Sequence, residues 1–298
     1  MEELEVFRAL VIVCPLIFLG GIVDAIVGGG GLITIPAYLL AGLSPHGATA
    51  TNKCSSSCGS LLSTIRFFRQ GDVHLPSVLV GAAAALGGSW IGARLNMMVP
   101  EQILYYIMLA IVPVVAVFLL VRRDLGREDR SSELSRAQLM AISLSIGLVI
   151  GGYDGFFGPG SGTFMILGYT ALSKFDLLTA SGNSKAINFS SNIAALVTYA
   201  LAGKVVWLVG IPAALCSVAG TVSGPGVAFW IKATKRFGMT LAFILCGAAM
   251  LLPQLMQSTV GCYAGGILCQ FFNLIVVSGL TTYLGLATTG KNATTAMS

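Results

Sequence analysis

Charge is what this sequence has least of. Only 10% of its 298 residues are Asp, Glu, Lys or Arg, and 55% are hydrophobic; soluble domains carry about 25% charged residues. Nine of the 29 charged side chains fall between Arg122 and Arg136. The remainder cannot coat a soluble protein of this size, which excludes a soluble globular enzyme. A disordered chain is excluded by the same apolar excess. Several apolar runs approach the ~20 residues that a helix needs to cross a bilayer. The composition is that of an all-α, polytopic membrane protein.

Other absences narrow the function. The seven cysteines include no C-x-x-C pair, so neither a disulfide framework nor a zinc site is expected. The two histidines, His46 and His74, sit at predicted segment ends, His74 as a surface residue, and no metal or cofactor is expected. The run from Gly285 to Asn292 nearly matches a phosphate-binding loop, but Asn292 replaces the required hydroxyl and only six residues follow. No basic leader precedes the first apolar run, where Glu2, Glu3 and Glu5 stand, so that run is expected to be retained. The net charge of +5 lies in short loops between spans, a bias that orients a membrane protein and calls for no nucleic-acid partner.

Apolar segments run at about 6–27, 31–43, 46–68, 75–95 and 101–121, then 137–157, 162–173, 177–202, 205–230 and 237–252, with a last one near 260–287. The second five repeat the first. Asp24 before Gly28-Gly29-Gly30-Gly31 corresponds to Asp154 before Gly158-Pro159-Gly160-Ser161-Gly162 at an offset of 130. Lys53 and Lys185, Gly71-Asp72-Val73 and Gly203-Lys204-Val205, and Gly88/Gly92 and Gly220/Gly224 share an offset of 132. An odd number of segments per copy inverts the second copy. The cations agree: the loops at Arg66/Arg69, Arg122–Arg136 and Lys232–Arg236 all fall on one side only if the repeat is inverted. The expected domains are a first repeat at 1–121, a charged cytoplasmic linker at 122–136, a second repeat at 137–252, and an extra helix and tail at 253–298.

Segments 31–43 and 162–173 are about half a bilayer long at ~1.5 Å per residue, and each follows a glycine cluster. Non-helical backbone at membrane depth is tolerated only inside protein or beside a water-filled cavity. Short, glycine-interrupted segments at matching places in two halves point to a transporter's binding site. A half-helix starting at Gly31 or Gly162 would present the positive end of its dipole to an anion. The alternative for glycine pairs is tight helix packing, the reading preferred for Gly88/Gly92 and Gly220/Gly224.

The most informative stretch is Ala48 to Ser60, with its partner Thr179 to Asn192. Each is a membrane-length helix that offers lipid almost nothing apolar, with a lysine at the equivalent position. A charge at that depth faces a cavity or a partner. Lys53 and Lys185 therefore either attract an anion or neutralise Asp24 and Asp154 within each half; both roles can hold at different steps. Asp24 and Asp154 are also candidates for ion coupling. The expected substrate-binding set is Gly29, Gly30, Gly31, Thr51, Asn52, Lys53, Ser56, Gly160, Ser161, Gly162, Asn183, Lys185 and Asn188.

The two glycine motifs, each followed by a Thr/Ser/Asn/Lys-rich helix and a Gly-Asp/Lys-Val turn, resemble the TauE/SafE sulfite-exporter family, most of all its YfcA-like branch. The run Gly152-Tyr153-Asp154-Gly155-Phe156-Phe157-Gly158-Pro159-Gly160-Ser161-Gly162-Thr163 carries the likeness, and Ala180 to Asn192 looks like the family's second polar helix. The resemblance implies a bacterial inner-membrane protein, not an enzyme, that moves a small sulfur-containing anion such as sulfite, isethionate or sulfoacetate. Asn52, Lys53, Asn183 and Lys185 fall in the family's polar helices. Cys54 and Cys58, and the charged linker, depart from the pattern without selecting a substrate. The expected function is secondary transport by alternating access between inverted halves, with the lipid bilayer as surroundings and a homodimer left open. A passive anion channel and, more distantly, a sulfur-transfer enzyme using Cys54 and Cys58 remain the alternatives.

Overall fold

The computed structural model describes residues 3–108, 110, 111 and 128–234. Every regular element among them is helical. The described residues up to Gly226 belong to one compact unit. The expected segments 237–252 and 260–287, and the end of 101–121, lie outside the described residues.

The first half holds α1 (Glu3–Val27), α2 (Gly31–Leu40), α3 (Pro45–Gln70) and α4 (Leu75–Met98). The second holds α5 (Arg136–Ser145), a π-helical turn at Ile146–Ile150, α6 (Gly151–Phe156), α7 (Ser161–Ala171), α8 (Leu177–Leu201) and α9 (Trp207–Thr234). Local chemistry sets the ends. Ser44 accepts a hydrogen bond from the Gly47 N–H at the start of α3, where Pro45 occupies the first turn. At the equivalent start of α8, Asp176 accepts from the Leu178 and Thr179 N–H groups. Ser135 and Gln138 close a reciprocal capping box on α5.

Both half-helices begin at equivalent positions, Gly31 and Ser161. The first ends at Leu40 and the second at Ala171, slightly short of the segments read from hydropathy. Among the described residues, four stretches are long and apolar enough to span a bilayer: Glu5–Ile26, Leu75–Met98, Arg136–Phe156 and Trp207–Val227. The long polar helices α3 and α8 pack against each other, and Asn52, Lys53, Asn183 and Lys185 are buried on them. Leu79, Leu86 and Trp90 of α4 and Leu208, Leu215 and Val222 of α9 are exposed. Apolar groups face outward and polar groups inward, the distribution that lipid demands.

The halves interlock by exchange. Gly88 and Gly92 of α4 lie so close to the Leu148 and Gly152 backbone that an added Cβ would overlap it. Gly220 of α9 meets the Phe18 carbonyl of α1 in the same way, and Gly224 meets Ala25. The Gly88 and Gly220 contacts are equivalent, with Phe18 and Leu148 at the 130-residue offset. Each half thus places its fourth helix on the first helix of the other. The glycines serve close backbone packing, which association in lipid rewards.

A buried junction between the two glycine breaks

Where the two glycine clusters touch, the backbone is stretched to its steric limits. Gly28 and Gly158, at equivalent positions, both have positive φ, 82° and 102°, a conformation that costs a residue with a Cβ. The chains also meet there: a Cβ on Gly162 would press the Gly28 carbonyl at 2.5 Å, and one on Gly31 would lie 3.2 Å from Pro159 Cα. A Cβ on Gly158 would stand 3.3 Å from the Lys53 ammonium. Glycine here lets two broken helices and a lysine occupy one small volume.

Each lysine pairs across the halves. Lys53 Nζ lies 2.9 Å from an Asp154 oxygen, and Lys185 Nζ lies 2.7 Å from Asp24 Oδ2. The sequence-based expectation of an ion pair within each half is therefore corrected. The reason is packing: α3 lies against α8, and the break of the opposite half comes alongside each lysine. The exchange extends beyond charge. Thr51 Oγ1 accepts from the Val206 N–H, and Asn183 Oδ1 accepts from the His74 N–H. Thr51 and Asn183 are equivalent positions, as are His74 and Val206.

The two ion pairs are unlike. Asp154 accepts hydroxyl bonds from Ser161 and Ser191 as well as the lysine. Lys53 also donates to Asn192 Oδ1 at 3.0 Å, Asn192 donates to Asn188 Oδ1 at 3.1 Å, and Asn188 donates to Ser161 Oγ at 3.3 Å. With the Ser161 hydroxyl bonded to Asp154, the circuit closes, and every link has a proper donor and acceptor. Such satisfied networks are rigid. Among the described residues, Lys185 has only the Asp24 carboxylate and the Asp24 backbone carbonyl as partners.

Between the breaks lies a cavity lined by nineteen residues, of which nine are glycines and ten carry hydroxyl, amide, carboxylate or ammonium groups. No residue on its wall has a purely apolar side chain. Its occupiable volume is about 30 Å³, room for about two waters. Of the residues expected from sequence, Gly30, Gly31, Asn52, Lys53, Ser56, Gly160, Ser161, Gly162 and Asn188 stand on the wall, with Asp24 and Asp154. Gly29 is buried beside it, and Lys185 stands behind Asp24. Thr51 and Asn183 are off the wall, holding turns of the opposite half. Thr34, Asn192 and Ser217 were not expected and line it. Thr34 donates to Asn52 Oδ1 at 2.6 Å. Asn192 was legible as part of the second polar helix; Thr34 and Ser217 lie in apolar segments and carry no such signal.

The remaining candidates go elsewhere. Cys54 is buried in an apolar cluster with Ala50, Ala93, Ala195 and Tyr199, and Cys58 packs against it. His46 is buried, its Nε2 3.1 Å from the Asn96 and Val99 carbonyls. His74 is half-buried against Phe175 rather than on the surface.

The pattern of the family described as Sulfite exporter TauE/SafE matches residues 13–252. This chain belongs to that family. It is 38% identical over 215 residues to the probable membrane transporter protein YfcA of Escherichia coli K12, covering 70% of this chain and 79% of that one. It is 36% identical to the probable membrane transporter protein ORF9 of a Sinorhizobium species, over 71% and 79% of the two chains. A probable membrane transporter protein of Haemophilus influenzae is 34% identical, over 75% and 84%. No solved structure gives a significant match. The family member is a multi-pass membrane protein, and the exchanged contacts described above all fall within the matched region.

Proposed function

We propose that the protein is a secondary transporter of the bacterial inner membrane that moves a small sulfur-containing anion by alternating access between inverted halves. The observation that carries this reading is the cavity between the breaks, walled by glycine backbone, hydroxyls, amides and the Lys53 ammonium. Backbone close to a ligand, with helix N-termini at Gly31 and Ser161, suits an anion's oxygens. Family membership and relatives named as membrane transporters supply the class of function.

The wall favours the compact end of that substrate class. No purely apolar side chain stands on it to receive a carbon chain, and the occupiable volume of about 30 Å³ suits a pyramidal oxyanion such as sulfite better than isethionate or sulfoacetate. In this arrangement both lysines are neutralised by aspartates, so the lysines do not by themselves offset the anion's charge. Backbone N–H groups and hydroxyls supply the first contacts. Rocking of one exchanged half against the other would open the junction to either side.

The test is counterflow in proteoliposomes loaded with unlabelled sulfite, isethionate or sulfoacetate. Saturable uptake of the labelled counterpart, strongest for sulfite, is expected. Ohmic anion current without counterflow would replace the carrier with a channel.

A further inference from the structure

The duplicated sequence builds one ion pair into a closed circuit and leaves its counterpart bare. The residues that surround Asp154 have no equivalents around Asp24. Ser161 corresponds to Gly31, Ser191 to Gly59, and Asn192 to Ser60. Gly31 and Gly59 have no hydroxyl to donate, and Ser60 bonds the Ser56 and Ser57 carbonyls of its own helix. Among the described residues, the Asp24 carboxylate is consequently held by Lys185 alone. Its side chain is 23% exposed, against 3% for Asp154, and it stands on the cavity wall in front of a lysine that is 4% exposed.

Resting on the transporter reading above, we infer that Asp24 is a tethered competitor of the transported anion for Lys185. In the empty site the carboxylate occupies the ammonium that an incoming oxyanion would otherwise reach. Binding of the anion displaces it, and release of the anion returns it. Asp154 cannot take this part, because leaving Lys53 would also break the Ser161 and Ser191 bonds. The charged groups facing Asp24 are Lys185 from α8 and, across the cavity, Lys53 with Asp154. With Lys53 and Asp154 neutralising each other, Asp24 is the one carboxylate of the wall free to exchange. In the empty site the Asp24–Lys185 and Lys53–Asp154 pairs keep the buried junction electroneutral, which a low-dielectric interior favours. A competitor that holds its partner nine-tenths of the time lowers apparent affinity about tenfold.

The experiment measures equilibrium binding of radiolabelled sulfite to the purified full chain and to Asp24→Asn, Lys185→Gln and the double variant. Asp24→Asn is expected to bind about tenfold more tightly than the unmodified protein. Lys185→Gln should bind much more weakly, because the unpaired carboxylate then repels the anion. Adding Asp24→Asn to Lys185→Gln should restore binding by about tenfold or more. That rescue is a readout that a merely structural aspartate would not produce, and it does not depend on Asp24→Asn folding with a bare lysine. Equal affinity in Lys185→Gln and the double variant would overturn the inference while leaving the transporter reading intact. Failure of the unmodified protein to bind sulfite would overturn the sulfite reading and this inference together.

Discussion

Lys53 and Asp154 lie 101 positions apart, in opposite halves of the duplicated sequence, and meet at 2.9 Å with side-chain exposures of 1% and 3%. Neither charge would survive at this depth alone. The pair joins α3 to the second glycine break, and the loss of either partner would leave the other charge buried and unpaired.

Breaking the pair is expected to be costly. Removing one partner of a buried ion pair typically costs about 3–5 kcal/mol. Lys53→Met and Asp154→Leu should each lower the thermal unfolding midpoint in detergent. The Lys53→Met/Asp154→Leu double variant should lose less than the sum, because no uncompensated charge remains. Additive losses would show that the two side chains act independently.

The packing glycines should be intolerant of any bulk. Gly88→Leu and Gly220→Leu are expected to abolish the monodisperse folded protein in size-exclusion chromatography, since overpacking costs about 1–3 kcal/mol even where neighbours can move and here the neighbours are backbone. Gly87, adjacent to Gly88, has nothing within 4 Å of an added Cβ. Gly87→Ala should leave the elution profile unchanged.

Thr51 and Asn183 separate structural from binding roles. Each accepts one backbone N–H from the other half, a hydrogen bond contributing about 0.5–1.5 kcal/mol. Thr51→Val and Asn183→Leu should reduce thermal stability while leaving the sulfite dissociation constant of the folded fraction unchanged. A weakened affinity would place them in the site after all.

The cysteines should be dispensable for transport. Cys54 and Cys58 pack in an apolar cluster and are absent from the cavity wall. The Cys54→Ser/Cys58→Ser double variant is expected to retain counterflow. Loss of counterflow in a folded double variant would revive thiol chemistry.

Much of the architecture is legible in the sequence. The shortage of charge declared a membrane protein, and the repeated Asp–glycine–lysine order predicted both half-helices to within a residue or two of where they begin. The polar helices betrayed themselves as membrane-length segments unfit for lipid. Eleven of the fifteen residues singled out as binding or coupling candidates stand on the cavity wall. Thr51 and Asn183 stand off the wall for a physical reason. One turn of a helix carries residues of similar polarity in every direction, and only packing decides that Asn52 faces the cavity while Thr51 faces a turn of the other half.

By itself, then, the sequence determined the membrane as solvent, the duplication, the places where helices break and the chemical character of the centre. These are properties of composition and local order, which bilayer thickness and backbone sterics translate directly into structure. Only the tertiary structure decided that both lysine–aspartate pairs and the Thr51 and Asn183 contacts are exchanged between halves, and that Asp154 is enclosed while Asp24 is nearly bare. Ion pairs and hydrogen bonds form over about 3 Å, and which residues come that close depends on how α3, α8 and the two breaks pack together. Two copies of one pattern thus diverged through a few side chains, a glycine for a serine at two positions and a serine for an asparagine, whose consequence appears only when the halves are brought into contact.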